Sequence, residues 1–404
     1  CLILVTGYDA GMTFITDIVS RNVHEASISA IKEMAMLSAR QKDAVSLAWG
    51  LPSFRTPEYI RDGVKNFLDT DVDAGKYTQV DGLPELRRLA AEHYRMPAGI
   101  TVDADRHIMI NAGNMQGLNT LFHTMLDPGD EIILTDPCFA SHIHQINLFW
   151  GKPVYWQLKE DEGWALDIEK LPGLITEKTQ AIVLVSPSNP TGKIFPRTDL
   201  LRVGEIARQH NILIIIDDPY SHFTYEHSND YFNLASDASL RDNLVYLYSF
   251  SKSYAMGGWR LSYSVMPEEL KREAMKVHDA TMICAPRISQ LAGITALSTT
   301  SGHIAEFSSI LQERKQLICE RLDAIPHVFD YQRPEGAYYV SPKIIAEHTN
   351  SREFSISLLN KARVALTPGS AFGPSGEHHV RMAYCVEEDE INTAFDRIEN
   401  YFPG

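Results

Sequence analysis

Residues 246–263 contain the groups best suited to covalent chemistry. An apolar run ends there in a turn that carries Ser249, Ser251 and Lys252, and Arg260 follows eight residues after the lysine. Hydroxyl groups and a guanidinium are typical ligands of a phosphate, and a lysine amine beside such a site is a candidate Schiff-base nucleophile. Because most lysines are solvent-exposed, the stretch taken alone also fits a surface turn.

Chemically useful residues also follow other apolar runs. They are Gly113, Asn114 and Met115 after residue 110, Phe139 and His142 after residue 134, Asn189 after residue 185, and Asp217 and Tyr220 after residue 216. A glycine turn that leads into a helix offers free N–H groups to a phosphate. Phe139 could stack on an aromatic ring, Asp217 could hold a proton on a ring nitrogen, and Tyr220 could donate to a phenolic oxygen.

Each of these positions also has an ordinary structural interpretation. Gly113 suits a plain strand-to-helix turn, Asn189 precedes a proline in a common turn dipeptide, and a histidine or phenylalanine suits a core. Helix capping explains Asp218. It explains Asp217 poorly, since a carboxylate at the end of a buried isoleucine run is costly unless it is paired. Ligands of open α/β sheets lie at the carboxyl ends of strands, so the coincidence favours one shared site.

The elements that position these residues are predicted from seven apolar runs, at residues 107–110, 131–134, 153–156, 181–185, 212–216, 244–247 and 261–265. Several are continuously apolar, which predicts strands buried on both faces of a parallel or mixed sheet with helical connections. Helices are predicted at 29–39, 57–67 and 303–324, and further strands at 45–48, 336–340 and 380–384.

Composition excludes several classes of protein. A chain of 404 residues is long for one core, which predicts two lobes. The net charge of −15 argues against nucleic-acid binding, and no apolar run has the length of a membrane span. Five scattered cysteines without a C-x-x-C pair argue against a disulfide framework or a metal site and for a reducing compartment. Met12 could be the natural start, with residues 1–11 an extension.

The order and spacing of the candidate residues resemble the class I/II aminotransferases, pyridoxal-phosphate enzymes of fold type I. The motifs that match are Ser249-Phe-Ser-Lys252 with Arg260, Ser188-Asn189-Pro190-Thr-Gly192, Asp217-x-x-Tyr220, Gly50, Tyr77 and Arg381. The resemblance implies an α/β fold. A large domain (51–290) would contain a mostly parallel seven-stranded sheet between helices, and a smaller α+β domain would combine residues 1–50 and 291–404.

The resemblance also implies a role for each residue. Lys252 would form the Schiff base with pyridoxal 5'-phosphate and carry the transferred proton, and Asp217 would pair with the ring nitrogen. The remaining cofactor contacts would be Tyr220 and Asn189 at the phenolic oxygen, Phe139 on the ring, and Gly113, Asn114, Met115 (by its backbone), Ser249, Ser251, Arg260 and the second subunit's Tyr77 at the phosphate. Arg381, Asn189 and Gly50 would bind substrate, and His142 would support Asp217.

The implied activity is transfer of an amino group between an L-amino acid and a 2-oxo acid by a cytoplasmic homodimer of amino-acid metabolism. Aspartate, aromatic, alanine-type and broad specificity stay open, and Arg21 is unplaced. A C–S lyase or synthase of the same fold is the alternative, because it shares Lys252, Asp217 and Arg381. A cofactor-binding regulator is disfavoured because fewer than fifty residues precede Gly50, which leaves no room for a DNA-binding domain.

Overall fold

The computed structural model describes residues 18–26, 28–227 and 231–403, so the predicted start at Met12 lies outside the described residues. The α-helices are α1 Arg21–Glu25, α2 Ala30–Ala39, α3 Glu58–Thr70, α4 Pro84–Ala98, α5 Ala104–His107, α6 Asn114–Met125, α7 Ala140–Leu148, α8 Leu171–Leu174, α9 Arg197–His210, α10 Phe250–Ser253, α11 Glu268–Thr281, α12 Arg287–Ser298, α13 His303–Asp323, α14 Ser351–Ala362 and α15 Glu388–Tyr401. Across this described part of the chain, no helix combines the length and apolar character that crossing a bilayer requires.

The strands are β1 Val45–Ser46, β2 Ile108–Asn111, β3 Glu131–Asp136, β4 Lys152–Gln157, β5 Thr179–Leu184, β6 Leu213–Asp218, β7 Leu244–Ser249, β8 Ser262–Val265, β9 Phe329–Asp330, β10 Tyr339–Val340, β11 Lys343–Ile344, β12 Val364–Ala365, β13 Thr367–Pro368 and β14 Val380–Ala383. All seven predicted apolar runs are strands of one sheet, in the order β2-β8-β7-β6-β5-β3-β4. Only β8 runs antiparallel to its neighbours within it. The predicted mostly parallel seven-stranded sheet is confirmed.

Helices cover both faces of this sheet. On one face α12 packs on α3 and α4, and on the other α11 packs on α6. Strands β6 and β7 are buried along almost their whole length, as their continuous apolar sequence predicts for strands with two covered faces. The carboxyl ends of the parallel strands therefore form one edge at which the turns collect.

A second apolar core is formed mainly by the part of the chain after residue 303, joined by Leu47, Val185, Tyr220, Phe223 and Tyr225. It unites α13, α14 and α15 with the short strands β9 to β14. Strand β1 pairs in parallel with β12, so the segment before residue 50 lies on this core although it is more than 300 residues away in sequence. The predicted strand at 45–48 is thus shorter than expected, but its pairing fixes the position of Gly50.

A cluster of histidines and tyrosines lies under the sheet. His93 Nδ1 is 2.8 Å from Tyr263 Oη, and His222 Nε2 is 3.0 Å from Tyr248 Oη. The two imidazole rings lie 6.4 Å apart. Burial lowers the pKa of His93 to about 3 and that of His222 to about 4, so both rings are neutral in the folded protein at neutral pH.

Candidate active site

Lys252 lies where strand β7 passes into the short helix α10. Ser249 caps that helix by accepting from the backbone N–H of Ser251 at 3.2 Å. The Lys252 Nζ donates to the carbonyl of Gly50 at 2.7 Å and lies 5.8 Å from the centre of the Tyr338 ring. The amine therefore connects the edge of the large sheet to Gly50, which follows strand β1. Strand β1 in turn lies on the second core.

The surroundings of Lys252 lower the pKa of its amine. Burial is the main cause, and the nearby cations Arg381, Arg260 and Lys32 add to it, so that the pKa of Lys252 falls to about 8. An amine with that pKa is neutral in a useful fraction of molecules at physiological pH. It can therefore act as a nucleophile or accept a proton.

Asp217 is the carboxylate at the end of β6, and both of its oxygens are engaged. Asn114 Nδ2 donates to Oδ1 at 2.7 Å, and His142 Nε2 lies 2.9 Å from Oδ2. All three side chains are buried. The contact between His142 and Asp217 agrees with the supporting role predicted for His142. The side-chain amide of Asn114 is directed to the Asp217 carboxylate, so the predicted contact of Asn114 with a phosphate stays a prediction for its backbone N–H.

The adjacent Asp218 points to the opposite side of the strand. It accepts from Tyr246 Oη at 2.7 Å and from the backbone N–H of Ser221 at 2.9 Å. Burial raises the pKa of Asp218 to about 6. The contact with Ser221 is the turn-capping role that the sequence suggested for this residue.

A candidate phosphate cradle lies beside the lysine. Gly113 has a φ of +84°, and a Cβ at this position would lie 2.4 Å from Arg260 Nη2. The guanidinium of Arg260 is held by the carbonyl of Gly257 at 2.9 Å and stays exposed at the edge of the cleft. It adjoins the amino end of α6, which begins at Asn114. A helix N-terminus with free N–H groups and an arginine is a favourable anion site.

A pair of tyrosines forms the opposite side of the cleft. Tyr220 Oη is 3.0 Å from Tyr339 Oη and 3.5 Å from Asn189 Nδ2. A Cβ at Gly50 would lie 2.0 Å from Tyr339 Oη, so only glycine fits there. The sequence indicated Tyr220, Asn189 and Gly50 as candidate site residues, but it did not indicate Tyr339. The available signal for Tyr339 was the pair of adjacent tyrosines, Tyr338 and Tyr339, within the predicted strand 336–340.

Arg381 is a buried cation, only 1% exposed, at the inner end of the cleft. Its Nη1 donates to Asn189 Oδ1 at 3.1 Å and its Nη2 to the carbonyl of Ala48 at 2.5 Å. The rings of Tyr339 and Phe372 flank it at 4.6 and 4.9 Å. No carboxylate of the described residues pairs with it. A buried charge that is not neutralised is costly, which indicates an anionic ligand.

Two other predicted residues lie at the edge of the site. Phe139 precedes α7 and meets the ring of His142 edge-on at 5.4 Å. Met115, in the first turn of α6, is 37% exposed, and its carbonyl accepts from Gln145 at 2.8 Å. Met115 thus offers an apolar side chain beside the cradle.

Tyr77 and Arg21 lie outside this cleft. Tyr77 is 77% exposed on the surface of this chain. Arg21 pairs with Glu25 of its own helix at 2.9 Å and is 79% exposed. Arg21, which the sequence left unplaced, therefore pairs within its own helix and makes no described hydrogen bond to the residues of the cleft.

Comparison with known proteins agrees with this geometry. The family described as aminotransferase class I and II matches residues 42–398. The chain belongs to this family. The aspartate aminotransferase of Pyrococcus horikoshii is 34% identical over 93% of this chain and 95% of that one. An aromatic-amino-acid aminotransferase of Thermococcus litoralis is 31% identical over 92% and 95%. The Thermus thermophilus aspartate aminotransferase with maleate superposes with a TM-score of 0.88, at 29% identity over 95% and 99%.

Aminotransferases of this family use pyridoxal 5'-phosphate, and the residues present fit that group. Asp217 supplies a fixed carboxylate for the ring nitrogen, and the Gly113–Arg260 cradle suits a phosphate. The Oδ1 of Asn114 is buried without a hydrogen-bond partner among the described residues. Such an atom next to the candidate ring site indicates a missing polar partner.

Proposed function

We propose that this aminotransferase uses Lys252 as the covalent anchor of the cofactor and as the residue that moves the proton. The observation that carries the proposal is the amine of Lys252 in a cleft between Asp217, the phosphate cradle and Arg381, with a pKa lowered to about 8 by burial. A neutral amine is required for both roles.

The bound pyridoxal 5'-phosphate would supply an electron sink for the bond that breaks at the substrate Cα. Arg381 would hold the substrate α-carboxylate through paired N–H donors. Asp217, fixed by Asn114 and His142, would keep a proton on the ring nitrogen. Tyr220 and Asn189 would donate hydrogen bonds at the phenolic oxygen. Lys252, released by the incoming amino group, would take the proton from the substrate Cα and deliver it to the C4′ carbon of the cofactor, on the other side of the shared nitrogen.

The substrates we propose are L-amino acids and 2-oxo acids that include the acidic pair aspartate and its oxo acid. Relatives that bear the name aspartate aminotransferase support this assignment. A relative that is named for aromatic amino acids supports the inclusion of substrates with neutral side chains. Aspartate would therefore be a good substrate of a site that also accepts others.

We further propose a cytoplasmic homodimer with a two-domain protomer. The exposed ring of Tyr77 supports a second subunit, since it would reach the partner's phosphate cradle from the surface of this one. The two largest cores, one built from residues 60–296 and one mainly from residues after 303, support a large domain of residues 51–290 and a small domain of residues 1–50 and 291–404. Strand β1, which joins the second core, supports placing the N-terminal segment in the small domain.

The test of the lysine assignment is Lys252→Ala. We expect a protein that still binds the cofactor but lacks the absorption band of a protein-bound Schiff base, and whose transamination of aspartate is close to the background. The exposed Lys276, whose ion pair with Glu273 lies on the outside of α11, provides the control Lys276→Ala. An unchanged band and normal turnover in Lys252→Ala would show that another amine performs the reaction.

A further inference from the structure

Helix α2 lies over the mouth of the active site. Its Ile31 packs in a small apolar cluster with Phe139, Ala140 and Phe372. Phe139 is the candidate ring-stacking residue, and Phe372 flanks Arg381 at 4.9 Å. The first turn of α2 therefore sits between the cofactor side and the carboxylate-binding side of the cleft.

Lys32 is the next residue of this turn, and it points along the mouth. Its Nζ lies 4.4 Å from the centre of the Trp49 ring. Trp49 precedes Gly50, whose carbonyl accepts from Lys252, and its indole is 45% exposed. The charge of Lys32 is also felt at the active-site amine, because it is one of the cations that lower the pKa of Lys252 after the larger effect of burial.

Of the four cations that the described residues place around the cleft, Lys32 is the one to which no ligand has yet been assigned. Arg381 is assigned to the α-carboxylate, Arg260 to the phosphate and Lys252 to the cofactor. Among the described residues no carboxylate pairs with Lys32, and the neighbouring Glu33 is bound to Arg352 at 2.5 Å. An exposed cation held over an aromatic ring is positioned by a cation–π contact and keeps its N–H donors free.

We propose that Lys32 binds the distal carboxylate of a dicarboxylic amino acid or 2-oxo acid, with Trp49 lining the path of the substrate side chain. The inference rests on the proposed function in that Arg381 holds the other carboxylate. Lys32 lies in the first turn of α2, where the Oγ of Ser29 caps its N–H at 3.4 Å. The positive end of a helix adds to the attraction for an anion.

This assignment also accounts for a mixed substrate range. Lys32 is exposed to solvent, so its amine would bind a distal carboxylate when one is present and stay hydrated when the substrate side chain is neutral. Trp49 would then offer its face to an apolar side chain. A buried arginine at the same place would instead reject neutral substrates, because its charge would be left unpaired.

The experiment uses the holoenzyme and measures binding as well as turnover. Succinate, which carries two carboxylates and no amine, and butyrate, which carries one, are titrated by calorimetry into wild type, Lys32→Gln and Lys32→Arg. Lys42→Gln, the same change at an exposed lysine just beyond α2, is the matched control. The second readout is kcat/KM for aspartate and for its neutral isostere asparagine.

We expect Lys32→Gln to weaken succinate binding and to lower kcat/KM for aspartate by about 10- to 100-fold, the value of a charge-assisted hydrogen bond. Butyrate binding and the asparagine reaction should change less than about 3-fold. Lys32→Arg should recover most of the loss, and Lys42→Gln should resemble wild type. A substrate-independent loss would indicate a structural role and would overturn the proposal.

Two further outcomes separate this inference from the proposed function. If wild type binds succinate no better than butyrate, or if Lys32→Gln binds succinate as wild type does, the assignment of Lys32 is wrong even when the enzyme transaminates. If succinate binding depends on Lys32 but no amino acid is transaminated, the subsite stands and the proposed reaction fails.

Discussion

The two walls of the active site are built in different ways. The cofactor-facing floor, formed by Gly113, Asn189, Asp217, Tyr220 and Lys252, comes from successive strand ends of one sheet. The substrate wall, formed by Lys32, Ala48, Trp49, Tyr339 and Arg381, comes from the two ends of the chain. Strand ends of a parallel sheet are fixed by its hydrogen bonds. The floor thus suits chemistry common to many substrates, and the wall suits the choice among them.

The sharpest test of the floor uses two adjacent aspartates. Asp217→Asn should lower kcat/KM for all amino acids by about 100- to 1,000-fold, because an oriented charge at the reacting ring is worth roughly 3–4 kcal/mol. Asp218→Asn, one residue away on the other side of β6, keeps the cleft intact and should lower kcat/KM less than about 10-fold. Steady-state kinetics with aspartate and asparagine measure both. Equal losses of kcat/KM in the two variants would mean that Asp217 has no catalytic role distinct from that of Asp218.

The wall is tested next by Arg381→Lys. Lysine cannot reproduce the paired donors, and it would leave Asn189 and the carbonyl of Ala48 without their present partner. We expect KM to rise by about 10- to 100-fold for every amino acid, since the α-carboxylate is common to all. If KM rose only for dicarboxylic substrates, Arg381 would bind the distal carboxylate, and its assignment to the α-carboxylate would be wrong.

A smaller effect is expected where floor and wall meet. Tyr339→Phe removes the hydroxyl that lies 3.0 Å from Tyr220 Oη and should lower kcat by about 3- to 10-fold, which corresponds to one hydrogen bond. Tyr338→Phe is the control, because its hydroxyl makes only a 3.4 Å contact with the carbonyl of Gly50. If Tyr338→Phe has the larger effect, the Lys252–Gly50 contact matters more than the tyrosine pair.

The smallest predicted effect is a pH dependence of the apoprotein. The pKa of Lys252 is lowered to about 8, mainly by burial, and only the neutral amine attacks an aldehyde. The rate of cofactor capture should therefore rise with pH through about 8 and level off above it. Stopped-flow absorbance measures this rate. A midpoint near the ordinary lysine value of 10.5 would contradict the described environment of the amine.

The same contrast explains how much of the molecule the sequence predicts. The sheet and its floor follow from continuous apolar runs and from residues next to them, and all seven runs were found. The wall depends on the pairing of Val45 with Val364, a contact across more than 300 residues that no local pattern encodes. The contacts of Ala48 and Tyr339 with Arg381 were missed for this reason, and so was the contact between Lys32 and Trp49 on which the proposed subsite rests. The side-chain contact of Asn114 with Asp217 was not predicted, because a turn motif does not specify rotamers.

The two half-buried histidines under the sheet, His93 and His222, have a consequence for the tolerance of the protein to acid. Their pKa values in the folded state, about 3 for His93 and about 4 for His222, lie below the ordinary value of 6.5. As pH falls below about 6.5, the unfolded chain takes up protons at these positions and the folded chain does not, so folding stability declines. Protonation of these two half-buried imidazoles would then contribute to the loss of folding stability in acid.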